Sequence, residues 1–331
     1  MAVKALRKIA IGKETTAGTE VDTTTIWRGT GTIEDKGVPI LADEDVALMM
    51  GTDRTYIPKL EANLTTEQEA TFEQSPIVYD AGLKTVAGVQ DGTGSGYIYT
   101  YPFPTNAANS ISPRTIEGGD DAGAEIMLYS HVEKFKLSGK GGEAWKLSAD
   151  WVGRDVNPTT FTAGATLPTV TTILFSQSYL YIDAIGSSAG TTTKSNTLLA
   201  ADLDVDTGQR GVPTADGNLY FGFVKQVKPT AELKITFEHD ATSIAEKANF
   251  KAQTPRIIRI KTVGPALTTN GSAYQNKTQI IDLCGKWTQF DKIGEQNGND
   301  IITATFSGRY DTTAAQAGQI LIVNELSALA G

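Results

Sequence analysis

The fold is decided by a 29-residue stretch, Ile126–Arg154, which reads IMLYSHVEKFKLSGKGGEAWKLSADWVGR. Its second half, Lys146–Arg154, alternates apolar and polar side chains, with Leu147 and Trp151 on one side and Ser148 on the other. An alternation with a period of two residues predicts a β-strand with one buried face and one wet face. Similar short runs, bounded by glycine and other turn residues, recur along the chain. The sequence therefore predicts a mainly β protein.

The same pattern returns 155 residues later. The stretch Ile281–Arg309 reads IDLCGKWTQFDKIGEQNGNDIITATFSGR and aligns with Ile126–Arg154 without gaps. Seven of the 29 positions are identical, where about two are expected at ordinary composition. The identical pairs are Ile126/Ile281, Leu128/Leu283, Phe135/Phe290, Gly139/Gly294, Ala149/Ala304, Gly153/Gly308 and Arg154/Arg309. The related pairs Trp151/Phe306 and Leu147/Ile302 fall on the same predicted face. We interpret the pattern as an internal duplication.

Two shorter matches precede this one in the same order. Gly37–Pro39 corresponds to Gly211–Pro213 at a shift of 174 residues, and Thr71–Glu73 to Thr236–Glu238 at a shift of 165. The shift changes only between matches, as insertions in loops would produce. We predict two copies of one β-rich domain, at 1–165 and 173–331, joined near 160–172. The first copy carries an extra arm at about 41–51 and a long loop at about 88–123.

Helical signals are few. The best are Pro76–Val86, with Ser75 as its N-cap, and Ala241–Lys251 behind Asp240. A shorter helix is predicted over Ala42–Met50. The expected fold is mainly β, with two tandem β-sandwich or barrel domains that each carry a short flanking α-helix.

Composition limits the possible partners. The 331 residues include 29 Lys and Arg against 38 Asp and Glu, a net charge of −9. This acidic balance disfavours a protein that grips phosphate backbones through a general basic field. Cys284 is the only cysteine, which excludes an intrachain disulfide and a CxxC site. No apolar run approaches the ~18 residues of a membrane-spanning helix.

No sequence motif supports catalysis. Gly186–Gly190 fits GxSxG, but a nucleophile elbow needs a helix directly after the serine. The threonines that follow are poor helix formers, so a plain loop is the better interpretation. His131 and His239 lie far apart, without a second ligand at metal spacing. We expect no enzyme activity, no cofactor and no metal site.

Three aspartates have the spacing of a calcium loop. They are Asp202, Asp204 and Asp206. Thr207 and Pro213 stand where that loop requires glycine and glutamate. On a strand the same spacing would place the three carboxylates on one face, so we predict a solvated acidic face.

A polar stripe runs along Glu61–Glu73. Its odd positions are all polar and include Glu67, Glu69 and Glu73, whereas its even positions form a weak apolar face. The corresponding strand of the second copy presents Glu232 and Glu238. Both copies thus place a largely acidic strand face at the same point, although one wet face is also normal for an antiparallel sheet.

Several further stretches carry a resemblance to a known family. They are Ile11–Thr19, Trp27–Gly29, Leu41–Val46, Arg54–Pro58, Thr71–Val86 and the closing Gly-Arg strands at 153–154 and 308–309. In these, and over nearly its whole length, the chain resembles the tail tube (major tail) proteins of long-tailed bacteriophages of the siphophage type.

The resemblance implies a structural role. Such proteins are β-sandwiches whose inner strands close one barrel when subunits form a ring, and stacked rings form the conduit for DNA ejection into the host. Most members carry one tube domain, so a duplicated chain implies trimeric rings that imitate hexamers. The implied partners are further copies of the chain, other tail proteins such as the tape measure and terminator, and DNA in transit without specific binding. The implied location is the virion tail, and the host cytoplasm during assembly, without membrane insertion.

An acidic lumen would repel phosphates and let DNA slide. The predicted lumen-lining residues are Glu67, Glu69, Glu73, Glu232 and Glu238, with Asp150 in addition. Residues 1–165 hold 15 basic and 23 acidic side chains, and residues 166–331 hold 14 and 15. The lumen of a pseudo-sixfold ring is therefore predicted to alternate in charge.

The first copy has nine more residues than the second between the two short matches, and the surplus falls in Leu41–Gly51. Acidic residues at its start and a glycine at its end favour a short helix. We interpret Leu41–Met50 as an assembly arm that docks on another chain, or alternatively as a cover for its own core. Its docking side chains would be Leu41, Val46, Leu48, Met49 and Met50.

Two other functions stay open at this stage. A glycan-binding or glycan-cleaving β protein would need clustered exposed aromatic side chains or a pair of carboxylates in a cleft, and the four tryptophans are scattered in the sequence. A monomeric adhesin-like sandwich is the third possibility.

Overall fold

The computed structural model describes residues 4–329 and 331, which form a mainly β structure with two α-helices. The helices are α1 (Ser75–Gly82) and α2 (Ala241–Lys251), and single 3-10 turns occupy Lys4–Leu6 and Phe175–Gln177. The strands of the first half are β1 (Lys8–Lys13), β2 (Thr25–Ile26), β3 (Ile33–Asp35), β4 (Ile40–Leu41), β5 (Thr55–Tyr56), β6 (Ala62–Glu69), β7 (Val89–Gln90), β8 (Tyr97–Pro102), β9 (Arg114–Gly119), β10 (Ala124–Lys140), β11 (Lys146–Gly153) and β12 (Val156–Thr159). Those of the second half are β13 (Ser178–Ala184), β14 (Thr193–Lys194), β15 (Leu198–Asp206), β16 (Gln209–Pro213), β17 (Phe221–Gln226), β18 (Thr230–Glu238), β19 (Arg256–Ala266), β20 (Asn276–Phe290), β21 (Gly294–Gln296), β22 (Asn299–Gly308) and β23 (Gly318–Asn324).

A central antiparallel sheet of eight strands runs through both halves of the chain. Its order is β3–β6–β11–β10–β15–β18–β22–β20. The halves join where β10 pairs with β15, from Lys134 opposite Asp206 to Lys140 opposite Ala200. Buried and wet residues alternate along these strands, as in β6 and β18. One face of the sheet therefore meets the core and the other meets solvent, as the period-two pattern predicts.

Two further antiparallel sheets extend from the central one. β10 and β20 are 17 and 15 residues long, and each continues beyond the central sheet into an outer sheet. The first outer sheet has the order β2–β1–β9–β10–β12. The second has the order β14–β13–β19–β20–β23–β8–β7. The main apolar core, from Ile9 to Ile322, contains residues of both halves, and a small second cluster is formed by Leu267, Ile280, Leu321 and Val323.

The two halves repeat one strand register. Phe135 faces Ala149 across β10 and β11, and Phe290 faces Ala304 across β20 and β22, which is the 155-residue shift of the sequence match. A β-bulge interrupts the first pair between Val132 and Lys134 and the second between Trp287 and Gln289, again 155 residues apart. Bulges are specific features of a fold, so the repeat extends to backbone detail.

The two helices differ in burial. α2 spans Ala241–Lys251 as predicted, because the Asp240 carboxylate accepts a hydrogen bond from Ser243 N and the Ser243 hydroxyl accepts one from Asp240 N. α1 ends at Gly82, four residues before the predicted end at Val86. All eight of its residues are buried, whereas α2 buries only two.

Two of the sequence predictions need correction. The segment 88–123, expected to be a long loop, contains β7, β8 and β9, and β8 adds to the second half's outer sheet beside β23. The match of Thr71–Glu73 to Thr236–Glu238 is out of register. Leu64 faces Trp151 as Leu233 faces Phe306, which makes the shift 169 residues in these strands. Three identical residues therefore gave the wrong alignment.

Candidate functional site: the solvated face and the ends of the central sheet

The solvated face of the central sheet is mostly polar. One row of cross-strand partners runs Thr30, Glu67, Ser148, Lys136, Asp204, Glu232, Ser307 and Lys286. No member of this row is apolar. A hydrophilic row thus crosses the face, positioned by strands whose opposite sides lie in the core.

The charges on this face are mixed. Its acidic side chains are Glu34, Glu67, Glu69, Asp150, Asp202, Asp204, Asp206, Glu232 and Glu238. Its basic side chains are Lys134, Lys136, Lys140, Lys146, Lys234 and Lys286. The first four strands carry four acids and four lysines, and the last four carry five acids and two lysines. The net charge of each whole half therefore does not predict the charge on its part of the solvated face, because many acids of the first half lie in loops.

One lysine bridges the junction of the two halves. Lys136 on β10 lies 3.9 Å from an Asp202 carboxylate oxygen and 3.6 Å from one of Asp204, both on β15. All three side chains are more than one-third exposed, so the pairs are screened and contribute little stability. Asp202, Asp204 and Asp206 share one strand face, as their spacing predicts. Asp202 and Asp204 share Lys136, and Asp206 pairs with Arg210 at 2.7 Å, so each carboxylate has a basic side chain as its partner.

The predicted lumen residues fall into two groups. Glu67, Glu69, Asp150 and Glu232 are exposed on the solvated face, and Glu238 is half-buried on it. Glu73 is not on this face, which corrects the prediction. β6 ends at Glu69, and the chain then turns into α1. Glu73 is buried, accepts a hydrogen bond from Thr171 N at 2.7 Å and pairs with Lys277 at 2.7 Å.

The predicted arm is a hairpin and not a helix. Short strands β4 and β5 pair through Ile40 opposite Tyr56, and the residues between them form bends and irregular backbone. The Glu44 carboxylate accepts hydrogen bonds from Arg54 and Thr52, and these contacts lower its pKa. Such cross-links close a loop where a helix of nine residues would have lacked a surface to pack on.

The tip of this hairpin is strongly apolar and exposed. Leu41 is 74% exposed, Leu48 65% and Met50 84%, and Val46 and Met49 are exposed as well. None of these side chains covers the core of its own chain, which was the alternative interpretation. An apolar tip in solvent is typical of a surface that another molecule covers.

The remaining motifs are structural. Gly186–Gly190 lies in a turn, as predicted, and backbone N–H groups at 190, 191 and 192 donate to the Asp183 carboxylate. Although burial opposes it, these hydrogen bonds lower the pKa of Asp183. Burial raises the pKa of the Cys284 thiol to about 11, so this thiol is protonated at neutral pH. Among the described residues, no group of three or more His, Cys, Asp and Glu could hold a metal ion.

Sequence reasoning missed the buried ion pairs that fix the helices. Asp80 on α1 pairs with Arg114 at the start of β9 at 2.7 Å, and neither side chain is exposed. Glu246 on α2 pairs with Arg256 at the start of β19 at 2.6 Å. Each acid is the sixth residue of its helix and each arginine is the first residue of an outer-sheet strand, β9 or β19. That parallel placement was the available signal.

Comparison of the chain with known protein families and with characterised proteins finds no match to either. Within the described residues, no helix has the length and apolar character needed to cross a membrane.

Proposed function

We propose that this protein is the structural subunit of a bacteriophage tail tube, which polymerises into stacked rings that conduct DNA. The observation that carries the proposal is the junction of β10 with β15. It joins the two halves edge to edge and leaves β3 and the end of β20 as the outer strands of the eight-strand succession. Unpaired strand edges are sites for pairing with another chain. Repeating the internal junction between chains would remove both edges.

The repeated register supports two tandem domains of one fold. Ile33, Leu64 and Trp151 face one another in the first half, and Leu203, Leu233 and Phe306 do so in the second. Each half thus supplies four strands to the central sheet. Three chains would supply six such units, which is the trimeric, pseudo-hexameric ring that the duplication suggests.

The stagger of the strands also suits a closed barrel. The path of cross-strand partners through the junction runs Leu233, Leu203, Leu137, Leu147 and Gln68. The counterpart of Leu233 in the first half is Leu64, four residues before Gln68. Crossing one four-strand unit therefore shifts the strand register by four residues. This shift is about 13 Å along the strands over a sheet width of about 19 Å. The resulting tilt of about 35° lies in the range of closed barrels.

The solvated face then becomes the lumen. It carries nine acids against six lysines, and Lys136 already has acidic neighbours. A wall with a small negative excess does not hold phosphates, so DNA in transit would slide. The glycan-binding alternative would need exposed aromatic side chains, but all four tryptophans are buried, at 3% exposure or less. Neither an enzyme activity nor a cofactor enters the proposal.

Negative-stain electron microscopy of the purified full-length chain tests the proposal. We expect rings or tubes with threefold symmetry and six similar lobes in projection, since each chain contributes two units. Raising protein concentration should lengthen the tubes, because association follows mass action. Single particles of one chain at every concentration would contradict the proposal.

Deleting Ala42–Met50 is expected to leave a folded chain that no longer polymerises. The deleted residues lie outside the core cluster, so the thermal midpoint should stay within a few degrees of the wild-type value. Sedimentation velocity measures the loss of polymer. A matched triple variant, Leu48→Ser, Met49→Ser and Met50→Ser, keeps the length of the arm. If this variant polymerises as well as wild type, the apolar tip is not an assembly contact.

A further inference from the structure

The second half of the chain docks a hairpin on the first half, beside the β10–β15 junction. This hairpin is β16–β17, and its Phe221 is buried against Tyr129, with ring centroids 5.2 Å apart. Arg154 anchors it, donating from Nε to Phe221 O at 3.1 Å and from Nη2 to Gly222 O at 2.7 Å. The Arg154 guanidinium also lies over the rings of Tyr129 and Tyr220, at 4.6 and 4.9 Å. Arg154 therefore binds the hairpin at Tyr220 and Phe221, through hydrogen bonds to the backbone and a cation–π contact.

The second half has the same arginine without a hairpin. Arg309 lies 155 residues after Arg154 and ends the equivalent strand pair. Its side chain is exposed and makes no hydrogen bond or ion pair with any described residue. It borders a cleft of about 570 Å³, lined also by Leu283, Tyr310 and parts of 103–108 and 226–231. The receiving arginine and the adjoining cleft are thus present, and the hairpin is absent.

The first half has a similar hairpin with no arginine docked on it among the described residues. Its arm, the β4–β5 hairpin with its flanking residues 37–58, begins Gly-Val-Pro, as β16 ends. Pro213 faces Phe221 across β16 and β17. In the arm, Ile40 faces Tyr56, and extending this register by one residue would set Pro39 opposite Ile57. Tyr56 and Ile57 thus occupy the places of Tyr220 and Phe221, and both are exposed, at 51% and 42%.

The arm and the cleft of one chain lie at opposite ends of the central sheet. The arm follows β3 at one end, and Arg309 ends β22 beside β20 at the other end. Seven strand spacings separate these ends, about 33 Å along the sheet. The arm of the same chain therefore does not reach this cleft, whereas the arm of a second copy can, and the β16–β17 hairpin at Arg154 is a related joint within the chain.

We infer that the arm of one chain docks in the Arg309 cleft of a second copy of this chain. Tyr56 stacks on the Arg309 guanidinium, which donates to backbone carbonyls of the arm, as Arg154 does to 221 and 222. β3 then pairs with β20 near Gln289 and Phe290, as β15 pairs with β10 at Lys134 and Phe135. The contact is head-to-tail, so repetition closes a ring when the rotation between successive chains divides a full turn, as the proposed trimer requires. This inference rests on the self-assembly in the proposed function.

A charge exchange tests the inference on the full-length chain. Arg309→Glu is expected to weaken association between chains about a hundredfold, because it removes the cation–π contact and the charged donors together. Tyr56→Lys should weaken it similarly, because two cations would then meet. The double variant should recover most of the loss, since Lys at 56 pairs with Glu at 309 of the next chain. Lys251→Glu, at an exposed site on α2, is the control for net charge and should assemble normally.

Sedimentation velocity measures the association, and electron microscopy identifies the product. Assembly of Arg309→Glu at wild-type strength would overturn the docking site, as would a double variant no better than either single variant. Wild-type rings in that case would still support the tube proposal. A wild-type chain that stays monomeric would overturn both.

Discussion

Tubes in which Glu67, Glu69, Glu232 and Glu238 are all replaced by lysine are expected to retain double-stranded DNA that wild-type tubes release. The four substitutions convert nine acids and six lysines on the solvated face into five acids and ten lysines. Each newly neutralised phosphate would release counterions, so retention should be strong at low salt and fall steeply as salt rises. Co-sedimentation of short DNA with assembled tubes at several salt concentrations measures the effect.

The substitutions should leave the fold and the assembly nearly unchanged. Three of the four glutamates are exposed and the fourth is half-buried, and exposed charge changes usually cost less than about 0.5 kcal/mol each. A matched variant replaces Glu20, Asp22, Glu125 and Asp155, acids outside the central sheet, with lysine. Equal retention of DNA by this control would contradict the lumen assignment, as would tubes of the first variant that release DNA like wild type.

The central sheet was predictable because its strands have two unlike faces. Burial requires an apolar side chain at every second residue, and this alternation is visible in the sequence from Leu147 to Trp151. The same constraint made the β10–β11 and β20–β22 repeat visible, since core-facing positions tolerate few replacements. α2 was predictable for a local reason, the cap at Asp240, which depends only on neighbouring residues.

Other features were not predictable because they depend on distant residues. Glu73 continues the polar alternation of β6 in sequence, yet the strand ends at Glu69, and Lys277 binds Glu73 from the other half. The arm has the early acids and late glycine of a helix. Arg54 binds Glu44 across the hairpin instead. The Glu73 partner comes from the other half of the chain and the Glu44 partner from ten residues away across the hairpin, so neither contact is part of the local pattern.

The Asp80–Arg114 pair is the most consequential feature that the sequence concealed. Thirty-four residues separate the partners, and no local periodicity links a helix to a strand at that distance. Asp80 also accepts from Lys13 at 3.1 Å and from Val86 N at 2.9 Å. The carboxylate therefore ties α1 to β1, to β9 and to the segment after the helix, all inside the first half.

Arg114→Leu is expected to lower the free energy of unfolding by about 3–5 kcal/mol, because it leaves the Asp80 carboxylate buried without its closest cation. Arg256→Leu, the matched variant in the second half, should cost less. The Arg256 side chain is 15% exposed, whereas the Arg114 side chain is fully buried, so the ion pair of the second half lies nearer to solvent. Urea denaturation of both variants measures the difference.

The double variant Asp80→Leu with Arg114→Leu should be more stable than Arg114→Leu alone, because removing both charges removes the uncompensated one. Lys13, which is 37% exposed, can turn to water when Asp80 is lost. A double variant less stable than the single one would show that Asp80 acts mainly through Lys13 and Val86. Equal costs for Arg114→Leu and Arg256→Leu would contradict the argument from burial, since burial is what makes an unpaired charge expensive.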